Sequence, residues 1–223
     1  MEDTICAVST APGAGGIAVI RISGPEAIAI CNTIFVPRTA GKGLLSQKAY
    51  TLRYGSIRRG EELIDEVLIA LFRAPHSFTG EDTVEITCHG SVYIQQQIMQ
   101  LLIERGCRSA LPGEYTQRAF MNGKMDLSQA EAVADLIAST SAGQHRLALS
   151  QMRGGFSREL AELRNQLLHF TSLMELELDF SDHEELEFAD RSELRTLADH
   201  IEQVISKLAQ SFSVGNAIKN GIP

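Results

Sequence analysis

The sequence predicts an α+β protein, with a mixed α/β domain over residues 1–119 and an all-α helical domain with long antiparallel helices over 120–223. Three observations carry this. Strand-like and helix-like patterns alternate up to about residue 120, as in a layered fold built on a sheet. Beyond Asp126 the apolar spacing is three and four only, the helical period. Between them, residues 112–137 hold two helix starts around a basic loop.

Taken in order, residues 5–9 and 17–22 read as strands flanking the loop Thr10-Ala11-Pro12-Gly13-Ala14-Gly15-Gly16. Residues 25–35 read as a helix with Pro25 in its first turn. Residues 50–58 and 63–72 alternate and form a hairpin through Arg59-Gly60-Glu61-Glu62, and residues 83–88 are a further strand. A helix follows with Ile94, Ile98, Leu101 and Leu102 as its buried stripe, ending at Arg105-Gly106. Pro112-Gly113-Glu114 opens a short helix through Phe120, Asn122-Gly123-Lys124 breaks it, and Asp126 caps the next. On that helix Leu127, Ala130, Ala134 and Ile137 define the expected apolar face.

Farther on, Leu149, Met152, Phe156, Leu160, Leu163, Leu167, Phe170 and Met174 make a heptad-like seam. Gly154-Gly155 interrupts it at roughly 2 kcal/mol relative to alanine, so a kink or boundary is expected there. An acidic connector spans 179–190. Leu194, Leu197, Ile201, Val204 and Leu208 then give a second seam, expected to run antiparallel to the first. Two such helices do not close a bundle, so part of their apolar surface needs another cover. Residues 215–223 read as a helix exit entering a new strand.

With 223 residues, 44% of them hydrophobic, the chain can bury one or two cores. The net charge of -8 sits in the second half: residues 1–120 carry 11 Lys/Arg against 12 Asp/Glu, and 121–223 carry 9 against 16. That half repels phosphate backbones, and Arg53, Arg58 and Arg59 form the only modest basic cluster. Cys6, Cys31, Cys88 and Cys107 fit neither zinc-ligand spacing nor a secreted disulfide framework, so packed, reduced thiols are expected. No apolar run approaches the ~18 residues of a membrane span, and a soluble cytoplasmic protein is the expectation.

Gly13-Ala14-Gly15-Gly16 precedes a strand rather than a helix, so it lacks the helix N-terminus of a phosphate-cradling loop. Gly41-Lys42 and Gly123-Lys124 have neither the earlier glycine nor the following Ser or Thr of a nucleotide phosphate loop. Glu85 lies between Val84 and Ile86 in a strand: it is either a solvent-facing glutamate or an inner-face carboxylate that needs a partner. Arg21 poses the matching alternative, an exposed edge position or a buried pair. Lys124, in a loop between two helices, is a good anion-binding position. His89 at a helix start is a capping residue or a catalytic one. The run from Asp179 to Glu187 around His183 is a solvated connector or a metal site, the former preferred.

The segments Ala11-Pro12-Gly13-Ala14-Gly15-Gly16-Ile17-Ala18-Val19-Ile20-Arg21-Ile22-Ser23-Gly24, 77–90 and 112–137 together resemble the MnmE (TrmE) family of tRNA modification GTPases, and the similarity runs in order over the whole chain. The resemblance implies an N-terminal domain like the tetrahydrofolate-binding domain of the glycine cleavage T protein, forming a homodimer and binding 5-formyl-tetrahydrofolate. It implies a helical domain into which a Ras-like GTPase domain, using GTP, magnesium and potassium, is inserted. It further implies a flavin-dependent partner, MnmG (GidA), and formation of a carboxymethylaminomethyl group on the wobble uridine (U34) of tRNA. By motif position the family's folate contacts fall on Arg21, Glu85 and Lys124; no catalytic residue and no metal ligand is expected among these residues. Two other readings are a stand-alone folate-dependent one-carbon transferase and a structural dimerisation module in which Arg21, Glu85 and Lys124 pair with one another.

The nucleotide-binding motifs expected of the GTPase domain do not occur in these residues. This polypeptide alone is therefore expected to hydrolyse no GTP. Phosphate release that co-purifies with the protein would overturn that expectation.

Overall fold

The computed structural model describes residues 3–39, 43–179 and 191–220. These form two compact units that divide between Met125 and Asp126, beyond the 119/120 position read from the sequence.

The first unit is built on a seven-stranded sheet of order β3-β4-β5-β6-β2-β1-β7. Its strands are β1 (Ile5–Val8), β2 (Ile17–Ser23), β3 (Phe35–Pro37), β4 (Thr51–Arg59), β5 (Glu62–Phe72), β6 (Thr83–His89) and β7 (Arg108–Ser109). All neighbours are antiparallel except β1 and β7. The strands β3 and β7 are too short to leave a periodic signature in the sequence.

Alternation along the strands explains the layer. Ala18, Ile20 and Ile22 of β2, Val67, Ile69 and Leu71 of β5, and Val84, Ile86 and Cys88 of β6 all point to one face. There they pack in a single core with α1 (Ala27–Ile34) and α2 (Val92–Glu104). All four cysteines are free and buried, as their spacing led us to expect, and burial pushes the Cys88 thiol up to about 11. Gly90 shows how tightly the glycine loop docks. A Cβ there would lie 2.4 Å from the Gly15 carbonyl oxygen, and the Gly15 N–H already donates to the Gly90 carbonyl while the Gly90 N–H donates to that of Gly16.

The opposite face of the sheet is partly covered by α3 (Glu114–Met121) and the loop 73–82. What holds them is a buried ionic cluster. Arg118 of α3 is fully buried; its guanidinium donates to the Asp3 carboxylate (2.7 Å), the Asp3 carbonyl (2.8 Å), Glu81 (3.2 Å) and Glu114 (3.1 Å). Arg108 reaches over to Glu114 and Asp3 as well. Bonded chiefly by Arg108, the Glu114 carboxyl is held down to about 2.

The second unit is helical throughout its described residues: α4 (Leu127–Ala138), α5 (Ala142–Met152), α6 (Gly155–Asp179) and α7 (Arg191–Asn220). Asp126 caps α4 in a reciprocal box with Gln129, and its other oxygen accepts from Ser157 of α6 at 2.6 Å. The expected glycine boundary is present. Helix α5 stops at Met152, Gly154 takes the left-handed conformation at φ 73°, and Gln129 donates to the Met152 carbonyl at that break.

Two expectations are corrected here. The buried face of α4 centres on Ala132, while Leu127 and Ile137 are 61% and 83% exposed. Helix α4 packs against α5, where the small residue Ala148 is buried as well, and Gln129 ties α4 to the Met152 carbonyl at the end of α5. The helix exit expected from residue 215 is absent, because α7 runs on to Asn220. The acidic connector of residues 180–190, with its weighed metal site, lies outside the described residues, as do residues 221–223. Helices α6 and α7 pack together and line an apolar groove of 290 Å³ with Leu167, Phe170, Ala198, Ile201 and Ile205. Ile201 is buried as its seam requires, yet Leu160, Leu167 and Met174 stay more than 40% exposed.

Glu114 has a folded pKa of about 2 against an ordinary 4.5. The sign follows: its contribution is complete above pH 4.5 and is lost as pH falls toward 2, on the order of 3 kcal/mol. Denaturant titrations from pH 6 to 2 will record this fall for the parent. Glu114→Gln will start less stable and show a flatter acid limb; an unchanged limb counts against the assignment.

Candidate functional site

Arg21 and Glu85 are partners across β2 and β6 in the antiparallel register, on the sheet face away from α1 and α2. Arg21 Nε donates to Glu85 Oε1 at 2.8 Å, and Nη2 lies 2.7 Å from the same oxygen. Both side chains are about a quarter exposed, 28% and 25%. Strand β2 lies between β6 and β1, so Arg21 does not occupy an edge position; it sits in the interior of the sheet. Because both guanidinium contacts fall on Oε1, Oε2 keeps its acceptor capacity among the described residues.

Two aromatic rings flank the guanidinium. Its central carbon lies 5.6 Å from the Phe78 ring centroid and 5.7 Å from that of Tyr115. The Tyr115 hydroxyl donates to the Arg21 carbonyl at 2.7 Å, and burial raises its pKa above the usual phenol value. Phe78 comes from the loop 73–82, whose backbone is fixed at several points. The Ser23 hydroxyl bonds Thr79 at 2.7 Å and Glu81 at 2.8 Å, Asn122 donates to the Thr79 carbonyl, and Ser77 donates to the Glu81 carbonyl.

Lys124 belongs to the same neighbourhood through this loop. Its Nζ donates to the Pro75 carbonyl at 2.9 Å, and its methylenes lie where a Cβ on Gly80 would reach 3.3 Å. It forms no hydrogen bond or ion pair with Arg21 or Glu85. Arg21 and Glu85 are thus brought together directly, whereas Lys124, exposed, meets the loop 73–82 at Pro75 and Gly80.

His89 is tied down at a strand end. Its backbone N–H donates to Asp65 Oδ2 at 2.8 Å, and its ring Nδ1 lies 2.7 Å from Asp65 Oδ1. The arginine cluster is also engaged internally: Arg58 donates to the Glu61 carbonyl, and Arg59 donates to Gln97 and faces Glu104. Among the described residues no group of His, Cys, Asp and Glu could hold a metal ion, and no helix is long and apolar enough to cross a membrane.

Sequence reading missed Phe78, Tyr115, Glu81 and Arg118. A partial signal existed for the last, since Glu114 and Arg118 stand four apart on a helix, the spacing of an ion pair. None existed for the rings.

Residues 4–124 match the family described as GTP-binding protein TrmE N-terminus, and residues 127–223 match the MnmE helical domain. The chain is 86% identical over 221 residues to tRNA modification GTPase MnmE of Parabacteroides distasonis, covering 99% of this chain and 48% of that protein. It is 72% identical over 222 residues to the protein of that name from Bacteroides thetaiotaomicron, and 57% identical over 222 to that of Flavobacterium johnsoniae, each time over 100% of this chain and 47% of the relative. The chain spans about half the length of these relatives.

Proposed function

Because the chain belongs to the MnmE (TrmE) family of tRNA modification GTPases, we propose that its first unit binds a formyl-tetrahydrofolate against Arg21, Glu85 and Lys124 and joins a second copy. The whole protein, in this reading, hydrolyses GTP and works in the cytoplasm with the flavin-dependent partner MnmG (GidA). Its substrate is the wobble uridine of tRNA, on which it builds the carboxymethylaminomethyl group. The folate supplies the one-carbon unit.

The observation that carries the ligand assignment is the unused Oε2 of Glu85, on a side chain about a quarter exposed and paired with a guanidinium that two rings flank. A pterin presents an exocyclic amine and a ring N–H side by side, and a carboxylate accepts both. In this reading Arg21 donates to the formyl oxygen. Lys124 can leave the Pro75 carbonyl to meet a glutamate tail, because an exposed lysine gives up one neutral acceptor for a charged one.

The second copy is assigned to the open part of the same sheet face. There the register sets Leu52 beside Ala70 and Tyr54 beside Leu68, leaving Leu52 70%, Tyr54 45% and Leu68 42% exposed. A specific observation also favours the structural module, namely that Arg21 and Glu85 already pair with each other. A pair this exposed contributes only about 0–1 kcal/mol, which is a weak reason to keep two charges inside a sheet.

Calorimetry with 5-formyl-tetrahydrofolate separates these readings. Glu85→Ala is expected to bind at least about tenfold more weakly than the parent, the scale of a charged hydrogen bond; equal affinity would remove the pterin role and leave the structural module. Sedimentation tests the self-association. The parent is expected to run as a dimer and Leu68→Asp as a folded monomer, and a monomeric parent would sink the dimer assignment.

A further inference from the structure

Phe78 keeps part of its ring open to solvent beside the Arg21–Glu85 pair. It is a large apolar side chain, 39% exposed, on a loop whose other members are fixed by polar bonds. Thr79 beside it is fully buried, and Ser77 and Glu81 close the loop on each other. The backbone thus holds the ring from both sides, and the ring contributes little to holding the loop. Its neighbour is the Arg21 guanidinium, a flat cation that stacks on aromatic faces.

Tyr115 completes the enclosure differently. Its hydroxyl is tethered to the Arg21 carbonyl, so its ring is a fixed wall, whereas Phe78 has open solvent on part of its surface. Both rings lie against the guanidinium that holds Glu85 Oε1, so a ligand whose N–H edge reaches Oε2 enters the neighbourhood of one anchored ring and one exposed ring. A flat heteroaromatic ring gains most from that arrangement, because its face covers Phe78 while its edge satisfies the carboxylate.

We infer that Phe78, which shares the Arg21 guanidinium with Tyr115, is the ring-stacking residue that selects the pteridine ring of the ligand bound at Glu85. This rests on the folate reading above. The loop 73–82 then has a defined task, which is to present one phenyl ring next to the Arg21–Glu85 pair. The hydrogen bonds of Ser23, Asn122 and Arg118 to that loop set where the ring stands.

The test is calorimetry of the purified protein with 5-formyl-tetrahydrofolate, using one variant that keeps a ring and one that keeps only apolar volume. Phe78→Tyr is expected to bind within about twofold of the parent, and Phe78→Leu roughly tenfold more weakly. Thermal unfolding of both should match the parent, since the ring is not what holds the loop. Equal binding by Phe78→Leu and the parent would overturn the inference, as would equal weakening by Leu and Tyr, which marks damage to the loop. Absence of binding by the parent itself overturns the folate reading, a distinct outcome that takes this inference with it.

Discussion

The burial of Arg118 is the constraint on which the first unit's working face depends. A guanidinium with no exposure, surrounded by Asp3, Glu81 and Glu114, is tolerable only while every partner stays in place. Those partners come from the N-terminus, the loop 73–82 and α3 itself. One side chain thereby clamps three segments remote in sequence onto the sheet beside β1 and β2. Removing it would strand carboxylates in the interior, at about 3–5 kcal/mol by comparison with other broken buried pairs. The same clamp fixes the surroundings of Arg21, because Glu81 belongs to the loop that carries Phe78, and α3 carries Tyr115.

The two faces of the sheet accordingly follow different physics. Against α1 and α2, aliphatic side chains at every second position exclude water without directional bonds. On the other face, order comes from charge and hydrogen bonds, with gaps left open. The Arg21–Glu85 pair sits in such a gap, neither buried enough to be costly nor exposed enough to be idle. A partly exposed carboxylate with one oxygen occupied and one available is suited to receiving a ligand edge, and the nearby rings provide a surface that water wets poorly.

Reading the chain from periodicity worked where burial has a period. Strands β1, β2, β4, β5 and β6, and helices α1 to α3, lie within a residue or two of their expected limits. The break at Gly154 and the cap at Asp126 were visible because glycine and aspartate have special backbone and acceptor properties. The α4 face differs from its expected stripe, since four aliphatic or alanine positions at helical spacing outweigh a single buried alanine in sequence, and the side that turns inward is known only once α4 packs on α5. Whether Arg21 stands at an edge or in a pair stays open in a local pattern, because strand order is invisible there; β2 becomes interior only when β6 and β1 flank it.

Family motifs singled out Arg21, Glu85 and Lys124 as chemically suited residues, and local pattern determined the α+β class, the strand alternation and the helix ends. These follow from short-range rules of period, capping and backbone freedom, which a linear string contains in full. Tertiary structure alone decided that Arg21 meets Glu85 while Lys124 meets Pro75, that Phe78 and Tyr115 flank the guanidinium, and that Arg118 is buried. The reason is that each of these contacts joins residues far apart in the chain, and their distances are set by sheet register and helix docking rather than by any neighbour in sequence.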